Sequence, residues 1–384
     1  MDRANGPKGP MTRRECFQAT LEHRRPDRLV LDLAGCPLSG FEGKSHQRLM
    51  DLLGYAPDPG MLGPNGVDER ILAYLDIDTR GVGGFPTPRK SLARQVSPTV
   101  VIDEWGIERT WTGLYWDITR SPLAGADVDD LERYPWPEPE SIDIREVEAM
   151  RDRARTLFEE TDYVLCASHP VLGILELGCW ICGFEDFLYR TLADEAFVHR
   201  FFDIILGYQK KVIDLYYGLL GPYCHYTSSG DDFATQANSF VSPETFDDLV
   251  KPYFRERIAY TKKYTKAAYL HHSCGQVFHL VPSLVDCGVE ILNPIQPVSP
   301  LMSAESLKSH YGRDVCFHGG IDTQTVLPFG TPDDVAQEVR RVVGLMAEDG
   351  GYILAAAHNI QEDVPPENVV AMFQAGRTAF RQPG

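Results

Sequence analysis

"AAYLHHSCG", residues 267–275, is a short apolar run that closes on two imidazoles, a thiol and a glycine. Its length and its boundaries read as a buried strand ending at a polar loop. The same form recurs on both sides of it. "DYVLCASH" (162–169) and "YCHYTSSGDD" (223–232) precede it, and "VEILNPIQ" (289–296), "DVCFHGGID" (314–322) and "GYILAAAHN" (351–359) follow. Between these runs lie longer amphipathic stretches, 184–219, 243–264, 302–311 and 332–348, which read as helices. Strands alternating with helices predict a parallel sheet with crossover helices. Two earlier runs, "RLVLDLAG" (28–35) and "DTRGVGG" (78–84), bring the strands to eight. Eight βα units predict an α/β chain folded as a (β/α)8 TIM barrel. The competing open doubly wound sheet lacks its G-x-G-x-x-G after the first strand.

The polar residues fall where a barrel would use them. His169, Asp231 with Asp232, His272 with Cys274, Asn293 with Gln296, Asp322 and His358 each close one of the six later runs. Active sites of barrels sit on the loops at the C-terminal ends of the strands. Six consecutive polar strand ends predict one convergent site.

The 384 residues suffice for a large core; residues 11–384 read as one barrel domain after a mobile tail over 1–10, with an insertion around 85–160. Thr12 three residues before Glu15 predicts a capping box and an N-terminal helical extension through about His23, stopped by Pro26. The β-branched and aromatic stretch 99–120 predicts an inserted β-hairpin or small sheet, and "YPWPEPES" (134–141) a rigid connection. A formal net charge of −18 with no basic run excludes nucleic acid and anionic membrane as partners. The longest apolar stretch, 171–184, is interrupted by Glu176 and is shorter than the ~20 residues of a membrane span. The first ten residues have no signal-peptide core, and nine scattered cysteines read as reduced thiols of a cytoplasmic protein.

His272 and Cys274 alternate along a strand and share a face. They suit zinc, but the same pair also fits a buried thiol beside a hydrogen-bonded imidazole. His271 faces the other way, toward packing. Glu176, a carboxylate in an apolar run, requires a partner: a metal, a substrate or a buried salt bridge. Of Asp231 and Asp232, at least one faces the site, and one can instead cap a loop. Cys316 and His318 are rival donors, with Cys316 better suited to the core. Cys179 and Cys182 lack a second cysteine pair and read as buried helix thiols.

"RRECFQATLEHRRPDRLVLDLAG", "SSGDDFATQANSFVSPETFDDLVKPYFRERI", "HHSCGQVFHLVPSLVDCGVEILNPIQP", "HGGIDTQTVLPFGTPDDV" and "GGYILAAAHNIQEDVPPENVVAM" together resemble the uroporphyrinogen decarboxylase superfamily. The resemblance covers most of the chain and is weakest around 85–160. It implies a (β/α)8 barrel. The decarboxylases carry an arginine-bearing N-terminal motif, where this chain has "LDLAGCPLSGFEG". The corrinoid-dependent methyltransferases of the superfamily bind zinc through an H-x-C motif and a late cysteine. This chain keeps His272-Ser273-Cys274 and has His358 at the late position.

The resemblance therefore implies zinc on His272, Cys274 and His358; the strand-end place of Asp232 and the apolar setting of Glu176 mark these two as the catalytic groups. Their positions at the strand ends mark Asp231, Asn293, Gln296, Asp322 and His169 as substrate contacts. The cofactors implied are zinc and a cobalamin (corrinoid) carried by a separate partner protein. The methyl donor or acceptor is a thiol, a methoxylated aromatic or a methylamine, and a homodimer is compatible with this reading. Two alternatives stand beside it. A metal-free decarboxylase of an acidic substrate would need arginines and lysines at the mouth. A non-catalytic ligand-binding barrel would keep His272, Cys274 and His358 apart.

Overall fold

Thr12 and Glu15 close on each other as a capping box, and the helix Arg13–Leu21 starts there. The computed structural model describes residues 9–113, 115–297 and 299–380; the tail expected over 1–10 lies outside them except for Gly9 and Pro10. Twelve strands follow in chain order among the described residues. β1 (Val30–Leu31) and β2 (Thr79–Gly81) come first. Then come β3 (Arg94–Ser97), β4 (Val100–Ile102), β5 (Glu108–Trp111) and β6 (Trp116–Arg120). The last six are β7 (Val164–Ser168), β8 (Tyr226–Gly230), β9 (Ala268–His272), β10 (Ile291–Ile295), β11 (Cys316–Ile321) and β12 (Tyr352–Ala356).

Eight of these form one parallel sheet in the order β1-β12-β11-β10-β9-β8-β7-β2. Its two ends meet. The Asp78 N–H donates to the Leu31 carbonyl at 3.1 Å, and the Asp78 carboxylate accepts from the Leu31 N–H at 2.8 Å. The barrel is closed by that contact, with helices outside. β7, β9, β10, β11 and β12 are buried along their whole length, which is why each reads as an unbroken apolar run rather than an alternating one.

The stretch 184–219 is two helices, Phe184–Ala193 and Glu195–Leu220. Asp194 divides them: its side chain accepts from the Phe197 N–H and caps the second. That helix buries Phe197, Phe201, Phe202 and Ile205, each contributing ~1.5–3 kcal/mol of apolar transfer.

Of the hairpin and the small sheet expected in the insertion, the small sheet forms, and it starts earlier than residue 99. β3 to β6 form a four-stranded antiparallel meander over 94–120. Its exposed start, "RQVS", has too little apolar character to read as a strand. The meander leans over the C-terminal mouth of the barrel. Tyr115 donates to Gln361 in the loop after β12 at 2.9 Å, and Arg109 lies over the Trp180 ring. No described helix is long and apolar enough to cross a membrane.

Candidate metal centre and active site

β9 delivers His272, and three residues later the chain turns sharply at Gly275, where φ is +86°. A Cβ there would sit 2.3 Å from the Thr235 carbonyl oxygen, so only glycine allows the turn that aims Cys274 at the barrel axis. The Cys274 thiol lies 3.3 Å from His272 Nε2. From the far side, the loop after β12 brings His358, whose ring centroid is 5.4 Å from that of His272. One donor atom from each of His272, Cys274 and His358 lies within 4.8 Å of the others. A borderline-soft divalent ion such as zinc takes this set of two imidazoles and a thiolate.

Around the cluster the polar partners are specific. The Cys274 N–H donates to Asp232 Oδ1 at 2.8 Å, and the same oxygen is 3.8 Å from His272 Nε2. Gln296 accepts from the Gly275 N–H at 2.9 Å and turns its amide nitrogen toward the Cys274 sulfur at 3.7 Å. That N–H favours the thiolate; burial, then Asp232 and Glu176, oppose it, and with no cation present the thiol is pushed up to about 12. Burial and then His272 press the His358 imidazole down to about 4, so both donors wait in their neutral forms.

A cavity of about 290 Å3 opens beside the cluster. His272, His358, Asp232 and Glu176 form its polar side, and Leu38, Phe85, Val171, Leu172 and Trp180 its apolar one. Burial, then the charges of Asp232 and Asp231, raise the Glu176 carboxyl from its ordinary value near 4.5 to about 8. The folded chain therefore holds a proton on Glu176 between pH ~4.5 and ~8, where the unfolded chain has lost it. Stability from this group is full below the lower value and falls as pH rises toward the upper. In zinc-free protein, Glu176→Gln should be more stable than wild type at pH 8, by on the order of 2 kcal/mol, and no more stable at pH 4.5. Denaturant titrations at the two pH values measure the difference.

The five residues expected to bind substrate make other contacts. His169 follows β7 with its side chain outside the barrel, because Ser168 takes the inward position. It pairs with Thr261 at 3.0 Å between the rings of Tyr217 and Tyr269. Asp231 turns away from Asp232 and caps the helix Ile174–Cys182, accepting the N–H groups of Ile174, Leu175 and Glu176. Asp322 folds back on its own loop and accepts from the N–H groups of Gln324 and Thr325. Asn293 is buried behind His272, outside the cavity wall. Gln296 touches the thiol rather than the cavity. His271 stacks on Phe233 and meets Phe254 edge to face, and Cys179 and Cys182 are buried helix thiols.

A model of the family described as "Uroporphyrinogen decarboxylase (URO-D)" matches residues 120–379, about two thirds of the chain. The chain belongs to the uroporphyrinogen decarboxylase family. A methylated-thiol–coenzyme M methyltransferase of Methanosarcina mazei is 24% identical over 273 residues, which are 68% of this chain and 66% of that protein. A solved structure of a methyltransferase from Methanosarcina mazei superposes with a TM-score of 0.63 at 18% identity, over 95% of this chain and 98% of that one. The barrel is thus a fold shared with a methyltransferase, and both of these proteins are methyltransferases by description.

Behind His272 stand two buried polar residues that the strand-end pattern did not join, Asp32 and His318. Both are fully buried and joined by a 2.7 Å hydrogen bond. Asp32 sits inside the apolar run "RLVLDLAG", and the rule applied to Glu176, that a buried carboxylate requires a partner, would have found it.

Proposed function

We propose that this chain is a zinc-dependent methyltransferase. It moves a methyl group between a small molecule held in the barrel-mouth cavity and the cobalt of a separate corrinoid protein. The observation that carries this reading is the three-donor cluster of His272, Cys274 and His358 on the wall of an apolar cavity. Three nitrogen and sulfur donors suit a catalytic zinc, which keeps its fourth position for a substrate heteroatom. Zinc, when bound, lowers the pKa of a thiol or polarises the heteroatom of a methyl donor.

The chain's own residues supply the rest. His272 turns a lone pair toward the cavity, and Gln296 holds the thiolate of Cys274 with an N–H. Asp232 fixes the loop through the Cys274 N–H. Glu176, protonated near neutral pH, faces the cavity and can hand its proton to a departing thiolate or alkoxide, or take one back in the reverse direction. Val171, Leu172 and Trp180 exclude water from the reacting atoms. Nine free thiols suit a reducing compartment, the cytoplasm.

The decarboxylase alternative is disfavoured by the cavity. A tetrapyrrole ringed with carboxylates needs cations, and no arginine or lysine lines the described wall. The deciding experiment is methyl transfer between methylcobalamin and thiols, or from aryl methyl ethers or methylamines to reduced cobalamin. Turnover should require both the protein and the cobalamin. Equal turnover without cobalamin sinks the corrinoid part, and CO2 release from uroporphyrinogen installs the decarboxylase.

A further inference from the structure

Four buried side chains form a single file across the barrel interior. His272 Nδ1 is 2.5 Å from Asn293 Oδ1, Asn293 Nδ2 is 2.6 Å from His318 Nδ1, and His318 Nε2 is 2.7 Å from Asp32 Oδ2. They come from β9, β10 and β11 and from the residue after β1, so nearly half the barrel takes part. Asp32 is anchored in turn: its other oxygen accepts from the Gly35 N–H at 3.0 Å and from the Thr79 hydroxyl.

The hydrogen bonds have a direction. Asp32 is held as an acceptor, so His318 Nε2 carries a proton toward it. His318 Nδ1 faces the Asn293 amide nitrogen, so it offers a lone pair there and takes an N–H from that amide. That fixes the amide, whose oxygen faces His272 and takes the proton of Nδ1. His272 is left with its lone pair on Nε2, on the cavity side beside the Cys274 sulfur.

We infer that Asp32, His318 and Asn293 are positioning residues that lock His272 in the one tautomer able to bind a metal through Nε2. This rests on the zinc reading for its purpose, but the tautomer itself exists in the metal-free chain. Reversal at any link propagates. An Asp32→Asn amide can donate to His318 Nε2, which moves the His318 proton to Nδ1, flips Asn293 and leaves a proton on His272 Nε2, where the metal should go. Partners that orient a ligating imidazole change metal affinity by ~10–100-fold.

The test uses full-length protein with 15N-labelled histidine. In zinc-free wild type, the His272 resonances should report the Nδ1–H tautomer, and in Asp32→Asn or Asn293→Leu they should report Nε2–H or a mixture. Zinc affinity, measured by competition with a chelator, should fall ~10–100-fold in both variants. Asn293→Asp keeps an oxygen facing His272 and should retain more affinity than Asn293→Leu. Unchanged tautomer and affinity in folded Asp32→Asn overturns the inference. Should Asp32→Asn not fold, Asn293→Leu and Asn293→Asp decide alone, and equal affinities in those two overturn it equally. Wild type that binds no zinc but shows the locked tautomer breaks the zinc reading and leaves the lock standing.

Discussion

Protein purified without added metal should carry about one zinc per chain, and Cys274→Ala should carry close to none. The thiolate is the softest and the one negatively charged donor of the three, so its loss removes more binding energy than that of either imidazole. Zinc sites of this size are worth on the order of 10 kcal/mol, and losing one of three protein donors should weaken binding by at least ~1,000-fold. Methyl transfer should fall with zinc occupancy. The fold should survive, because Cys274 is half-buried on a loop at the barrel mouth and the hydrophobic core runs independently of it. A thermal melt of the metal-free variant alongside metal-free wild type checks that point. His358→Cys is the informative companion: it installs the donor set that the family resemblance implies, and it should hold zinc at least as tightly as wild type. Equal zinc content in wild type and Cys274→Ala would falsify the metal assignment.

The barrel was legible because its strands are buried on both faces. Runs such as "DVCFHGGID" and "GYILAAAHN" could be mistaken neither for alternating surface strands nor for full-length helices, and β11 and β12 fall inside them. β1 and β2 were harder to delimit, being two and three residues long, though their places in the chain were right. The four-stranded meander was underread because its first strand is exposed and polar, and nothing in "RQVS" speaks for pairing.

The candidate site divides along a different line. Position at a strand end located Asp232, His272, Cys274 and His358 near one another, since closing the barrel makes all such ends converge. What a strand-end side chain does there depends on the sense in which it points, and the sequence carries that only as parity. Ser168 faces in and His169 out, although histidine is the more eye-catching residue. Asp231 and Asp232 are chemically identical and adjacent, yet a helix N-terminus claims the first. Asp32 was missed, and His318 was read as a rival donor rather than as its partner, because the pair lies one layer behind the cavity, where only three-dimensional proximity joins residues 286 positions apart.

Anionic substrates should be turned away. The described cavity wall holds two carboxyl groups, Glu176 and Asp232, and no arginine or lysine. A bound zinc does not reverse this, since the Cys274 thiolate and the Asp232 carboxylate together balance its two positive charges. A sulfonate or carboxylate drawn into so apolar a space would lose its water and gain no cation of the described wall in exchange. Burying a charge without a partner costs on the order of several kcal/mol, which amounts to 100-fold or more in an equilibrium. Ethanethiol and 2-mercaptoethanesulfonate differ chiefly in that charge. As methyl acceptors from methylcobalamin, they should differ by on the order of 100-fold or more in kcat/KM, in favour of the uncharged thiol. This departs from what the name of the coenzyme M methyltransferase relative would suggest, because coenzyme M is the sulfonated thiol. Arg109 is the residue that could defeat the expectation. It is tied to Asp103 at 3.1 Å and lies against Trp180, and its charge is felt at Glu176. If the two thiols perform equally and Arg109→Ala abolishes only the sulfonate reaction, the guanidinium swings in to bind anions, and the cavity is not the cation-free pocket described. If they perform equally with Arg109→Ala unchanged, charge plays no part in how this cavity chooses its substrate.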